Sequence, residues 1–342
     1  MIYLKRNKIH NLGLDILRMI LCFWIILLHC SNVKKEHIYF LYGRPIHVPT
    51  FVFISFYFFY KNLSSRDISK IILRFQRLLI PYIIWPLIIL IINNFFMMIF
   101  HFGQFERKMT LKDFYIQILT GDHYHAIFWY HFNLIFLTLL FTIISLIFKH
   151  NFIMALYVLE MISFKLHYSQ INYNFFIKYN DFIYYSLGPI IEILPIAVIG
   201  LTFGKINLIN KLNQFRKKVI FFNIIIFYFF FKYDIFTIQI GFRYPCIMIN
   251  ISGAIILFTL FSSFKLEEIS NKKFIFFIRF ITNYTGGIYY LHDFVKGYLI
   301  KVILYIKNRT YFGCLIIYIT CYIICLIGIK LLGKTKLKYL FF

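Results

Sequence analysis

Apolar runs of about 17 or more nearly uncharged residues recur along this chain, and they constrain its fold more than any other feature. A helix needs roughly that length to cross about 30 Å of hydrocarbon. The runs are continuous rather than alternating, so they read as helices and not strands. Composition agrees: 61% of the 342 residues are hydrophobic and the mean hydropathy is +0.75, whereas soluble domains use about half apolar residues. The first run has no small-residue cleavage site behind it and reads as a resident helix, not a removable signal peptide. Ten spans are expected, at about 14–31, 46–62, 79–100, 126–148, 151–165, 183–203, 219–231, 244–263, 284–305 and 311–332. The expected fold is an all-α, polytopic transmembrane helix bundle forming a single domain over 1–342, with polar loops near 101–125 and 165–182.

The net charge of +24 would suggest nucleic acid in a soluble protein. Here it orients helices. With the N-terminus in the cytoplasm, 22 of the 37 Lys and Arg residues are assigned to that side, and the other 15 include Arg18 inside the first run. That bias puts both ends in the cytoplasm, with the lipid bilayer rather than nucleic acid as partner. Cys22, Cys30, Cys314, Cys321 and Cys325 lie in or beside apolar runs without a CxxC pair, so they read as free thiols and imply no disulfide framework.

The first run, LDILRMILCFWIILLHC from Leu14 to Cys30, carries Asp15, Arg18 and His29. At 100° per residue Asp15 and Arg18 are neighbours, and His29 faces the same way as Arg18, about 16 Å further along the axis. Charge within a span costs several kcal/mol unless it faces protein or water. Two readings follow. In one the stripe is functional; in the other Asp15 and Arg18 anchor the helix at the headgroups and His29 is a packing residue.

These residues resemble the opening signature of the integral-membrane (type-three) acyltransferase family: an acid and an Arg early in the first helix, then a His after a ten-residue gap. Further segments are similar to the family's in the same order. VPTFVFISFYFF (Val48–Phe59) matches at Pro49 and Ser55, with Phe56 where the family has Gly. LRFQRLLIPYIIW (Leu73–Trp85) matches at Arg74, Arg77, Pro81 and Trp85. AIFWYHFNLIF (Ala126–Phe136) resembles a His-x-Trp-Phe-Leu segment, but His125 and His131 only flank the family's position and are not carried over. ILPIAVIGLTFGK (Ile193–Lys205) and TGGIYYLHDF (Thr285–Phe294) resemble the mid-chain Gly-containing helix and the late motif ending in His. The resemblance implies ten helices with cytoplasmic ends in a bacterial inner membrane. It also implies acyl-CoA, usually acetyl-CoA, as donor, and a hydroxyl of a surface polysaccharide or its lipid-linked precursor as acceptor.

Such a transfer needs a base for the hydroxyl proton, and His has the suitable pKa. His29 is the expected base, with Asp15 orienting Arg18. The forked donors of Arg74, Arg77 and Arg18 suit coenzyme A phosphates, although an Arg-x-x-Arg is also an ordinary positive-inside feature. His292 is expected to contact substrate, or else to pack against a carbonyl or a Tyr; Asp293 and Lys296 add polarity beside it. The DHYH stretch (Asp122–His125) is not completed by other ligands, so no metal is expected. Glu192 is an isolated acid within a run. No nucleotide-binding or nucleophile-elbow motif occurs. Two other functions remain open: a glycan or lipid transporter or flippase, and a multispan glycan polymerase or glycosyltransferase.

Overall fold

A computed structural model of the chain describes residues 11–30, 46–65, 67–100, 109–121, 128–149, 151–168, 181–206, 208–239, 246–262, 272–302 and 311–332. Among these the secondary structure is all helix, without strands. In chain order the helices are α1 (Leu12–Cys30), α2 (His47–Ser64), α3 (Ile68–Phe100), α4 (Leu111–Thr120), α5 (Phe128–Ile147), α6 (Phe152–Tyr168), α7 (Asp181–Ile206), α8 (Leu208–Gln239), α9 (Cys246–Ser262), α10 (Lys272–Val302) and α11 (Tyr311–Leu332). By length and apolar composition, α3 and α5 are able to cross a membrane.

Each of the ten apolar runs falls on one of these helices, but three helices begin well before their run. Helix α3 starts at Ile68 rather than 79, α8 at Leu208 rather than 219, and α10 at Lys272 rather than 284. The early turns carry Lys70, Arg74 and Arg77 in α3 and Lys273 and Arg279 in α10. Charge ends an apolar run, but Lys and Arg are good helix formers. Asp67 marks the true start of α3. Its carbonyl accepts from the Lys70 and Ile71 amides, and its carboxylate accepts from the Ser69 hydroxyl at 2.5 Å and the Lys70 ammonium. The Lys70 ammonium and the Ser69 hydroxyl hold that carboxyl down at about 2.

The expectation of a polar loop over 101–125 is corrected by α4, which lies inside it. Thr110 and Asp113 form a reciprocal capping box at its start, and Gly121 closes its end at φ +74°. Helix α3 holds both ends of α4. The Asn94 side chain donates to the Met109 carbonyl and accepts from the Met109 amide, both at 2.8 Å, and the Tyr82 hydroxyl donates to the Gln117 and Ile118 carbonyls. The DHYH stretch lies outside the described residues.

Two helix pairs organise the bundle. Helices α2 and α7 pack through glycine: a Cβ on Gly200 would meet the Phe53 carbonyl oxygen at 2.7 Å, and one on Gly204 would meet the Tyr57 carbonyl oxygen at 2.6 Å. The contacts rise together in number, so the two helices run parallel. Helix α2 has Phe56 where the family has Gly, and the glycines of this close approach come from α7. Phe53, Phe56, Tyr57 and Phe59 are buried in this core beside Phe141 and Phe258. The second pair is α1 with α10. The Thr282 hydroxyl meets the Asp15 carbonyl, the Cys22 thiol approaches the Thr285 carbonyl, and His29 meets His292. The order is the same on both helices, so they also run parallel, with these polar contacts set among apolar residues such as Ile26 and Ile288. Cys22, Cys321 and Cys325 are buried, and the Cys321 thiol donates to the His292 carbonyl.

Candidate active site

The site grows from the polar face of α1. Asp15 is buried at the first turn, and Arg18 Nη1 approaches its carboxylate at 3.5 Å, with 35% of the Arg18 side chain accessible against 7% for Asp15. The guanidinium lies over the Phe58 ring at 5.6 Å. Eleven residues on, about 16 Å along the axis, His29 keeps an exposed edge. Its ring centroid is 5.1 Å from that of His292 on α10.

The two imidazoles are differently prepared. His292 is fully enclosed. Its Nδ1 lies 2.7 Å from the Tyr289 carbonyl oxygen. A carbonyl only accepts, so Nδ1 carries the proton, and in the neutral ring Nε2 is a bare acceptor. That Nε2 is buried without a partner. One nitrogen is engaged as a packing histidine's would be, and the other is left open beside His29.

The arginine end and the histidine end are joined by tyrosine rings. The Tyr130 hydroxyl on α5 lies within electrostatic range of both Arg18 and Arg74. Its ring is 5.6 Å from Tyr289, which is 5.8 Å from His292. Cys22 lies on the same face of α1 between Arg18 and His29. Beyond the histidines, the Lys296 ammonium pairs with the Asp293 carboxylate at 2.5 Å, and both groups lie within electrostatic range of His29.

The two arginines of the Arg-x-x-Arg stretch are placed differently. Arg74 is half-buried. It donates to the Ser55 hydroxyl at 2.9 Å, the Ser55 carbonyl at 3.3 Å and the Thr138 hydroxyl at 3.1 Å, and it lies over the Phe59 and Phe56 rings. Arg77, three residues on, is exposed. Arg74 thus ties α3 to α2 and α5 while remaining near Arg18. His131 is buried against Tyr289 and Tyr290, whereas His125 lies outside the described residues. The Glu192 side chain does too.

Tyr130, Tyr289 and the Asp293–Lys296 pair were not singled out as site residues by their sequence context. A signal for the pair does exist: an acid and a base three apart in an apolar run, the same spacing as Asp15 and Arg18. Nothing comparable marks the tyrosines, two among 27 in the chain.

An enclosed His292 beside an exposed His29 is linked by aromatic rings to the guanidiniums of Arg18 and Arg74 within the helical bundle. A family model described as an acyltransferase domain (acyltransferase 3) matches residues 11–332. The chain therefore belongs to the acyltransferase-3 family and is an acyltransferase. Comparison with curated proteins and with solved structures returned no match.

Proposed function

We propose that this acyltransferase is a multi-pass protein of a bacterial inner membrane that moves an acetyl group from acetyl-CoA to a hydroxyl of a surface polysaccharide or its lipid-linked precursor. In this reading the ten long helices span the bilayer with both chain ends in the cytoplasm. The parallel runs of α1 with α10 and of α2 with α7 support that topology, because in it each pair crosses in the same direction. Helix α4 then lies on the far side from the cytoplasm.

The observation that carries the reading is the meeting of His29 and His292. Acyl transfer from a thioester to an alcohol is speeded by a general base at the acceptor hydroxyl, and His is the side chain that most often fills that role. His29 is accessible and takes that role, while the bare Nε2 of His292 orients the hydroxyl or the donor beside it. Arg18 and Arg77 hold the coenzyme A phosphates at the cytoplasmic end, with Arg74 ordering that end from within. The roughly 16 Å between Arg18 and His29 suits a donor whose phosphates stay at the surface while a thin pantetheine arm reaches inward past Tyr130 and Tyr289.

The test uses the full chain in nanodiscs with acetyl-CoA, following release of the coenzyme A thiol and O-acetyl content of glycan from cells carrying each variant. His29→Gln and His292→Gln are each expected to lower turnover by about 10²–10⁴-fold without loss of inserted protein. Undiminished turnover in His29→Gln removes the base assignment. A wild-type protein inert toward acetyl-CoA removes the donor.

A further inference from the structure

Acyl transfer at His29 creates a charge that the groups described so far do not answer. As the acceptor oxygen bonds to the thioester carbon, its proton passes to an imidazole nitrogen and the carbonyl π pair moves onto oxygen. Collapse restores the carbonyl and breaks the carbon–sulfur bond. The departing thiolate recovers the proton from the imidazolium, leaving an ester and a free thiol. Between those events a full negative charge sits on oxygen, and a donor or cation fixed at that place is usually the largest single contribution to the rate.

Neutral His292 cannot supply it, since its one N–H is engaged by the Tyr289 carbonyl. Arg18 is about 16 Å down the axis from His29. Lys296, however, follows His292 by four residues, one turn along on the same face of α10. Its ammonium is tied to Asp293 at 2.5 Å, with the two side chains 19% and 16% accessible. An ammonium has three N–H donors, so the bond to Asp293 directs the group without exhausting it. A charged pair within a span is expensive to keep, and this one lies in electrostatic range of His29.

We propose that Lys296, held in direction by Asp293, stabilises the oxyanion formed as the thioester is attacked beside His29 and His292. This rests on the acyl-thioester reading given above. The competing account is that the two charges only neutralise each other within the bundle. The accounts separate when both charges are removed together. A buried pair of purely structural value is replaceable by neutral groups, whereas removing one member leaves an uncompensated charge.

The experiment measures coenzyme A release from acetyl-CoA by the full chain in nanodiscs, with water and then glycerol as the acceptor probes. Lys296→Met is expected to lower kcat by about 10²–10³-fold, with the KM for acetyl-CoA little changed. Lys296→Arg, which keeps the charge and donors, should recover much of that loss. The double variant Asp293→Asn, Lys296→Met should stay as slow as Lys296→Met, and it carries the test if the single variant does not insert. Wild-type kcat in the double variant, or in Lys296→Met itself, overturns the proposal. A wild-type protein that releases no coenzyme A overturns the donor assignment instead.

Discussion

Helices α2 and α7 meet across glycine and aromatic rings, while α1 and α10 meet through a hydroxyl, a thiol and two imidazoles set among apolar residues. Both pairs run parallel and both lie inside the bundle, yet only the second carries polar contacts from helix to helix along its length. In the first, backbones approach until no Cβ fits at Gly200 or Gly204, and the gaps are filled by Phe53, Tyr57, Phe203 and Phe258. In the second, the backbones are joined by isolated polar contacts, and a buried His292 Nε2 has no partner. Burying a polar atom unpaired typically costs about 1–3 kcal/mol, so a seam of that kind is tolerated where a substrate completes it. One pair is built by close packing, and the other holds the groups to which the proposed reaction is assigned.

The sharpest way to break this contrast is to crowd the close-packed pair. Gly200→Leu places a branched side chain where even a Cβ would lie 2.7 Å from the Phe53 carbonyl oxygen. A backbone atom cannot swing aside, and overpacking costs about 1–3 kcal/mol or more. Gly200→Leu is expected to leave no monodisperse protein on size exclusion. His292→Gln, by contrast, should behave as wild type in that measurement while losing turnover. If Gly200→Leu remains monodisperse and active, the tight α2–α7 approach is not what holds the bundle.

Next in size is Arg74. Arg74→Lys retains the charge but loses the fork that reaches Ser55 and Thr138 together. A loss of about 1–3 kcal/mol is expected, read as a lower thermal midpoint. Arg77→Ala, at an exposed site, should leave the midpoint unchanged and raise the KM for acetyl-CoA. Equal midpoints for the two variants would return Arg74 to the role of a surface cation.

Sequence reading found the helices by their apolar runs but placed starts too late where several charges preceded the run, as at Arg74 in α3 and Arg279 in α10. It passed over α4, although Thr110 and Asp113 spell a capping box, because α4 is amphipathic and too short for a span. Asp15, Arg18 and His29 could be aligned on one face because helix geometry is local. The meeting of His29 with His292 could not be read, since 263 residues separate them and no periodicity fixes a register between helices. The two arginines looked alike in sequence because Arg-x-x-Arg does not say which side chain has Ser55 and Thr138 opposite it.

The smallest expected effect concerns the rings between the two ends of the site. Tyr289 lies 5.6 Å from Tyr130 and 5.8 Å from His292, so it sits where a pantetheine arm would pass. Tyr289→Phe preserves the ring and removes only the hydroxyl, and a change of a few-fold or less is expected, because one net hydrogen bond contributes about 0.5–1.5 kcal/mol. Tyr289→Leu removes the flat wall as well. If the arm runs along that wall, Tyr289→Leu raises the KM for acetyl-CoA more than that for S-acetyl-N-acetylcysteamine, a thioester that lacks the nucleotide and most of the arm. Equal effects on both donors would mean that the Tyr289 ring acts only at the thioester end, by packing against His292. The polar seam would then be a site entered from the His29 end alone, not a passage from one face of the bundle to the other.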